Sequence, residues 1–247
     1  MKKITPGFTN ISYISNDNFA QEKKKNGFNH NIDYTILNIF KFVPKLMKND
    51  ENFIEWEFIE GENPVMNDVN IIKIAEQLKE IHNSKLKFPK FNIKGRVKEY
   101  LKILSAKNIN IPKLNEYYLK INKILANMKK VTPCHNDLWP VNMIKRGDEI
   151  LFVDWEYATM NDKHFDLAYF IETSKLSDEQ ETLFLNTYGD YNYEYVLQNK
   201  ILVNYLVVLW VNSQPIKYFD DTMYIQNMDK YSNEILQRRI NTKRKRN

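Results

Sequence analysis

Glycine placement constrains this chain more than any other feature. Its 247 residues contain only six glycines, Gly7, Gly27, Gly61, Gly95, Gly147 and Gly189. No two stand close enough to form G-x-G-x-x-G or G-x-x-x-x-G-K-[ST]. Neither the dinucleotide-binding turn nor the Walker A phosphate loop can therefore be built. Any nucleotide bound here must be held by a loop of another design.

Hydrophobic periodicity changes character near residue 60. Before it, strands are expected over 10–14, 19–22 and 52–59. One helix interrupts them over 30–42, with Ile32, Ile36 and Ile39 or Phe40 along one face, and Pro44 closes it. Beyond residue 60 helices take over. Asn67 is placed to cap one whose apolar stripe is Ile71, Ile74, Ala75, Leu78 and Ile81 or His82. Further helices are expected over 94–107, 113–129, 201–211 and 223–240, and Ser177 with Gln180 forms a capping box that opens another. Residues 131–154 break this pattern: a short strand to Cys134, a polar loop, a strand over 141–144, an Arg146-Gly147-Asp148 turn and a strand over 150–153. The pattern predicts an α+β, two-lobed chain. Residues 1–59 form a small β-rich N-terminal lobe, residues 60–247 a larger helical C-terminal lobe, and the joint carries the binding cleft.

Composition narrows the class. Hydrophobic residues make up 43% of the chain, which suits a packed globule and not a disordered segment. A single cysteine, Cys134, excludes an intramolecular disulfide framework and suits a reducing compartment. The net charge of +5 comes partly from Lys243-Arg244-Lys245-Arg246, which reads as a solvated terminus. No basic run is interleaved with aromatics, so no nucleic-acid partner is expected. The longest strongly apolar run, 201–211, is about half the ~20 residues that cross a bilayer, and Asn204 interrupts it. No apolar targeting segment follows the first lysines. The expectation is a cytoplasmic protein with no membrane insertion.

The chemistry is concentrated in Cys134-His135-Asn136-Asp137-Leu138-Trp139-Pro140-Val141-Asn142 and, after the turn, Phe152-Val153-Asp154-Trp155-Glu156. A hairpin between these segments brings Asp137, Asn142 and Asp154 to one edge, giving two carboxylates and an amide oxygen. Hard oxygen ligands of this kind suit Mg²⁺ that shares its shell with substrate phosphates, whereas one cysteine and scattered histidines do not make a zinc site. Cys134 and His135, adjacent on a strand, point to opposite faces and make a poor nucleophile–base couple. His82 reads as a core histidine. Asp166 reads as an anchor for the polar loop, and the Tyr188, Tyr191, Tyr193, Tyr195 run as packing.

His135, Asp137 and Asn142 match the kinase H-x-D-x-x-x-x-N loop, and Asp154 stands where that template places its metal-binding aspartate. The chain then reaches Phe165-Asp166-Leu167-Ala168 almost at once, which leaves no room for a peptide-docking segment. With Asp154-Trp155-Glu156-Tyr157 between them, these strings resemble the choline/ethanolamine kinase branch of the aminoglycoside-phosphotransferase-like superfamily, which has a protein-kinase-like fold.

The resemblance implies ATP- and Mg²⁺-dependent phosphorylation of a small alcohol, with choline first and ethanolamine, thiamine or an aminoglycoside as alternatives. It implies that Asp137 orients or deprotonates the hydroxyl, with His135 beside it holding the loop. Asn142 and Asp154 would bind the metal, and Glu156 would support the metal's water shell. Gly7-Phe8-Thr9-Asn10 is similar to the family's nucleotide loop, with Thr9 and Asn10 facing phosphates. Glu57, Phe58 and Ile59 fall on the hinge that meets adenine. Tyr157, Trp210 and Tyr224 fall on the aromatic cage for an ammonium, with Glu172 as its acidic partner. The resemblance also allows a homodimer, for which the sequence marks no interface. Two departures stand out. Ser213 falls where the family has a second tryptophan. The basic residue of the third strand falls near Gln21, leaving Lys23 as the nearest cation, and the helix glutamate that should pair with it falls near Leu37. A catalytically silent nucleotide-binding module is the rival that this second departure raises.

Overall fold

The computed structural model describes residues 2–4, 10–15, 18–90 and 92–244. Its N-terminal part is a five-stranded antiparallel sheet in the order β1-β2-β3-β5-β4, made of β1 Lys2–Ile4, β2 Ile11–Ser15, β3 Asn18–Glu22, β4 Leu46–Asn49 and β5 Phe53–Glu57. The strand period of two puts Ile54 and Trp56 on one face of β5, and both are buried. Trp56 closes that face edge-on against Tyr34, with ring centroids 5.7 Å apart.

The helix expected over 30–42 is not formed. In its place stands a short 3-10 helix, Tyr34–Ile39. Asp33 captures both the Thr35 N–H and the Thr35 hydroxyl, which starts the turn three residues later than the stripe suggested. The Phe40 N–H closes on Leu37 O and the backbone then extends, so Phe40 and Phe42 swing inward to pack on Trp155 and Phe152. Ile39, counted on the apolar stripe, is exposed. Burial of two aromatic rings outweighs continued helix here, because a short isolated helix is marginal by itself.

The C-terminal part is built from α1 Asp68–Asn83, α2 Ile93–Ala106, α3 Pro112–Asn127, α4 Lys163–Thr173, α5 Asp178–Tyr188, α6 Tyr193–Ser213 and α7 Thr222–Arg244. Asn67 caps α1 by accepting from the Asn70 N–H, and the Ser177–Gln180 capping box opens α5. From Val196 to Leu209, α6 is buried on almost every side, apart from half-buried Gln198. A helix apolar all round belongs in a core, and α6 is the post against which α2, α3, α4 and α7 pack. Among the described residues no helix is long and apolar enough to cross a membrane.

Between α3 and α4 lie β6 Thr132–Cys134, β7 Met143–Arg146, β8 Glu149–Phe152 and β9 Thr159–Asn161. β7 and β8 form the expected hairpin, while β6 pairs with β9, a strand the sequence did not announce. The polar loop is thus clamped at both ends. The chain joining the two parts is tied in as well. Glu62 exchanges backbone hydrogen bonds with Lys145 at 3.2 and 2.7 Å. The approach is so close that a Cβ on Gly61 would lie 2.5 Å from the Lys145 carbonyl oxygen, which is why glycine stands there.

Candidate active site

β6 leads into Asn136, which adopts φ 66°, a left-handed conformation that asparagine tolerates. Its buried side chain donates to Tyr157 O at 3.0 Å and Thr159 Oγ1 at 2.8 Å, and accepts from Asn161 at 2.7 Å. Asp166 on α4 takes the backbone N–H groups of His135 and Asn136, both at 2.7 Å, one on each oxygen. His82 and Cys134 lie beside it, all three closed off from solvent.

His135, grouped with Asp137 at the catalytic loop and expected to hold that loop, spends both ring nitrogens on backbone. Its Nε2 bonds Val153 O at 3.0 Å, and its Nδ1 accepts the Asp137 N–H at 3.3 Å. Burial lowers its pKa, so the ring is a neutral splint that positions Asp137.

Asp137 emerges from this scaffold half-buried. Its Oδ1 accepts the Tyr169 hydroxyl at 2.5 Å, and the Tyr169 oxygen in turn accepts Trp139 Nε1 at 2.5 Å. Asn142 Nδ2 donates to Asp137 O at 2.8 Å and more loosely to Oδ2 at 3.3 Å. Burial pushes the carboxyl up to about 6, although Tyr169 and the charge of Arg96 pull the other way.

Asn142, with its amide nitrogen spent on Asp137, keeps Oδ1 as an unused acceptor among the described residues. Asp154 follows β8 at φ 61°, ψ 57°, and its carboxylate accepts no hydrogen bond from a described residue. Its pKa is raised by burial first, then by Glu156 and Asp137. Crowded carboxylates, of which Asp154 has no cation beside it, and a spare amide oxygen are the donor set that a divalent cation relieves. The residues fit Mg²⁺.

Glu156 departs from expectation. It is buried, and its Oε2 receives Asn10 Nδ2, Asn29 Nδ2 and His30 Nε2, each at 3.0 Å, while its backbone oxygen takes the His30 N–H at 2.7 Å. Through Oε2 it ties the sheet to the catalytic loop, while its charge is felt at Asp154. Asn10, expected at the phosphates, is therefore held between Glu156 and the Lys24 N–H. Thr9 lies outside the described residues. Lys23, expected at the phosphates too, gives its ammonium to Asn49 Oδ1 at 2.6 Å and Asp50 O at 2.5 Å in the β4–β5 turn. The Glu57 N–H is spent on Lys45 O at 2.8 Å. Of the expected hinge, that leaves the Phe58 and Ile59 backbones, which make no hydrogen bond among the described residues.

The expected cage residues separate. The ring of Tyr157 is covered by the Arg96 guanidinium at 4.1 Å, so its π-face already serves a cation of this chain. Glu172 is buried between α4, α6 and α7. It accepts from Asn204 at 2.7 Å, Asn227 at 3.0 Å and the Tyr231 hydroxyl at 2.7 Å, and Lys200 stands at 3.6 Å. It is a packing anion, not an ammonium partner. Trp210 and Tyr224 do converge, through Phe219, whose ring lies 6.2 Å from the first and 5.9 Å from the second. Phe219 also meets Trp139 at 6.0 Å, which continues the aromatic wall to Tyr169 and hence to Asp137.

A model of the choline/ethanolamine kinase family matches residues 22–237. The chain belongs to the choline/ethanolamine kinase family. A Protein LicA homolog of Mycoplasma capricolum subsp. capricolum is 48% identical over 229 residues, covering 93% of this chain and 96% of that protein. Two solved structures share the fold. The choline kinase LicA from Streptococcus pneumoniae has a TM-score of 0.73 at 22% identity over 96% of this chain and 94% of that one. A LicA complex with AMP has a TM-score of 0.76 at 21% identity over 96% and 92%. Members of the choline/ethanolamine kinase family are ATP-using small-molecule kinases, and this chain is one.

For a choline/ethanolamine kinase, four residues close to Asp137 went unassigned from sequence: Trp139, Tyr169, Phe219 and Arg96. Tyr169 was within reach of reasoning. It lies one turn after Asp166 on the same helix face, so the aspartate that anchors the loop also aims the tyrosine at it. Arg96 gave no signal, since its position on α2 shows its depth only when the helices pack.

Proposed function

We propose that this chain transfers the γ-phosphoryl group of ATP to the hydroxyl of choline, giving phosphocholine and ADP. The observation that carries this is the continuous run from Asp137 through Tyr169 and Trp139 to Phe219 and Trp210. Choline separates its hydroxyl from its quaternary ammonium by two carbons. A carboxylate at one end of an aromatic wall suits such a molecule, the carboxylate taking the hydroxyl proton and the rings taking the cation by cation–π attraction.

The ammonium of ethanolamine carries N–H groups that need acceptors, whereas that of choline has none and needs aromatic faces. Glu172, the acidic group expected for this role, is committed to Lys200, Asn204, Asn227 and Tyr231. That favours choline.

Asn142 Oδ1 and Asp154 would hold Mg²⁺. When bound, it neutralises the β- and γ-phosphate oxygens of ATP. The remaining work is positioning. His135 and Asp166 fix the loop, Tyr169 fixes Asp137, and the Glu156 cluster seats the sheet over the joint. An ATP-using enzyme of this kind works in the cytoplasm.

The test is ADP release against choline, ethanolamine, thiamine and kanamycin, with and without Mg²⁺. Choline should give the highest kcat/KM, and only with the metal. ATP binding without ADP release for any alcohol would favour a silent nucleotide-binding module.

A further inference from the structure

Arg96 on α2 is 8% exposed, yet it forms no ion pair among the described residues. Its Nε donates to the Tyr100 hydroxyl at 2.9 Å, and its guanidinium lies over the rings of Tyr157 at 4.1 Å and Tyr100 at 5.5 Å. Neither Nη nitrogen donates to a described residue. Rings above and beside it fix the plane of the fork while leaving its outer donors unspent. A buried guanidinium whose outer donors have no acceptor within hydrogen-bond reach is an arrangement that an anionic ligand completes.

The place of that anion is indicated by the neighbours. Burial by itself would lower the pKa of the guanidinium, and Tyr100, Tyr157, Asp137 and Tyr169 reverse that, so its charge is felt at Asp137 and Tyr169. Tyr157, whose ring it covers, accepts from Asn26 of the N-terminal part at its hydroxyl and from Asn136, next to Asp137, at its backbone oxygen, so Arg96 lies at the joint beside the candidate active site. The N-terminal cation expected to meet phosphates, Lys23, is held by Asn49 and Asp50.

We propose that Arg96 is a further catalytic residue of this kinase, its Nη donors gripping the oxygens of the phosphoryl group in transit and of the phosphomonoester product. This rests on the kinase activity proposed above. In the step, the hydroxyl oxygen of the alcohol forms a bond to the γ-phosphorus. The bond from that phosphorus to the β,γ-bridging oxygen breaks, its electron pair leaves with ADP, and the hydroxyl proton passes to the Asp137 carboxylate. Net negative charge on the equatorial oxygens is what a planar fork of donors recognises.

The test compares wild type with Arg96→Met, which keeps the stem against Tyr157 and removes the charge. By calorimetric titration, phosphocholine affinity should fall at least tenfold while choline affinity is retained or improves. In steady state, kcat should fall on the order of 10²-fold with the choline KM little changed. Unchanged phosphocholine affinity, or equal losses for choline and phosphocholine, would overturn the assignment. If Arg96→Met does not give a cooperative melt, Arg96→Lys, which keeps the charge and loses the fork, is read by the same two titrations. If wild type makes no phosphocholine from ATP and choline, the kinase activity is what has failed. Titration with inorganic phosphate then still decides the site: binding by wild type and not by the variant supports an anion site, and equal binding or no binding to either overturns it.

Discussion

The Tyr169 hydroxyl donates to Asp137 Oδ1 at 2.5 Å while accepting from Trp139 at the same distance. One oxygen of the carboxylate is therefore fixed by two aromatic side chains, and the other, held only loosely by Asn142 at 3.3 Å, is the one open to a substrate proton. The wall that would hold a cation and the group that would take a proton are joined by a hydrogen bond.

That bond has a pH signature. Asp137 must be ionised to accept a proton, and burial places its pKa at about 6. The acid limb of kcat/KM should fall through that value, not near 4. Tyr169 favours the ionised form, so Tyr169→Phe should move the limb to higher pH. A limb that stays put in the variant would contradict the role given to the hydroxyl.

Asp137 also trades stability for function. Its native pKa, about 6, lies above that of an unfolded aspartate, so the native state binds this proton more tightly than the unfolded one. The associated stability is complete below the unfolded value and is lost as pH rises through about 6. Asp137→Asn should accordingly melt above wild type at neutral pH, with the gap narrowing toward about pH 5, while kcat drops on the order of 10²–10⁴-fold. A variant that melts lower at neutral pH would count against this.

Removing Lys200 separates packing from recognition. Lys200 faces Glu172 at 3.6 Å and is hydrogen-bonded to Glu181, all three buried. Lys200→Met strands two carboxylates and should cost about 3–5 kcal/mol in chemical denaturation. Glu172→Gln should leave the choline KM within about twofold. A large rise in that KM with an unaltered melting temperature would restore Glu172 to the substrate site.

Asn29 tests the tie between the two parts. It donates to Glu156 at 3.0 Å and to Lys24 O at 3.0 Å. Asn29→Ala leaves a buried carboxylate short of a donor, at a cost of about 1–3 kcal/mol. Its effect should fall on the KM for ATP, because the sheet loses its seating, and spare the KM for choline. The reverse pattern would mean that the cluster serves the alcohol.

What was legible in the sequence follows a simple division. Local geometry was readable: Asp137, Asn142 and Asp154 sit at offsets set by one hairpin, and caps such as Asn67 and Ser177 act within a single turn. Interactions across the fold were not. Glu156 offered a carboxylate beside a metal ligand, and only the packing of Asn10, Asn29 and His30 against it reveals its tie to the sheet. Glu172 looked free until α6 and α7 brought Lys200 and Tyr231 to it. The 30–42 stripe had the right period, but Phe40 and Phe42 gain more from Trp155 and Phe152 than from another helical turn.

The most direct measurement follows ATP, choline and Mg²⁺ by phosphorus NMR with wild type and Asp137→Ala in parallel. A phosphocholine resonance that grows with that of ADP, in wild type only and only with the metal, is the expected result. ATP that stays intact, or that yields inorganic phosphate with no phosphocholine, would contradict the assignment of Asp137 and the aromatic wall to choline phosphorylation.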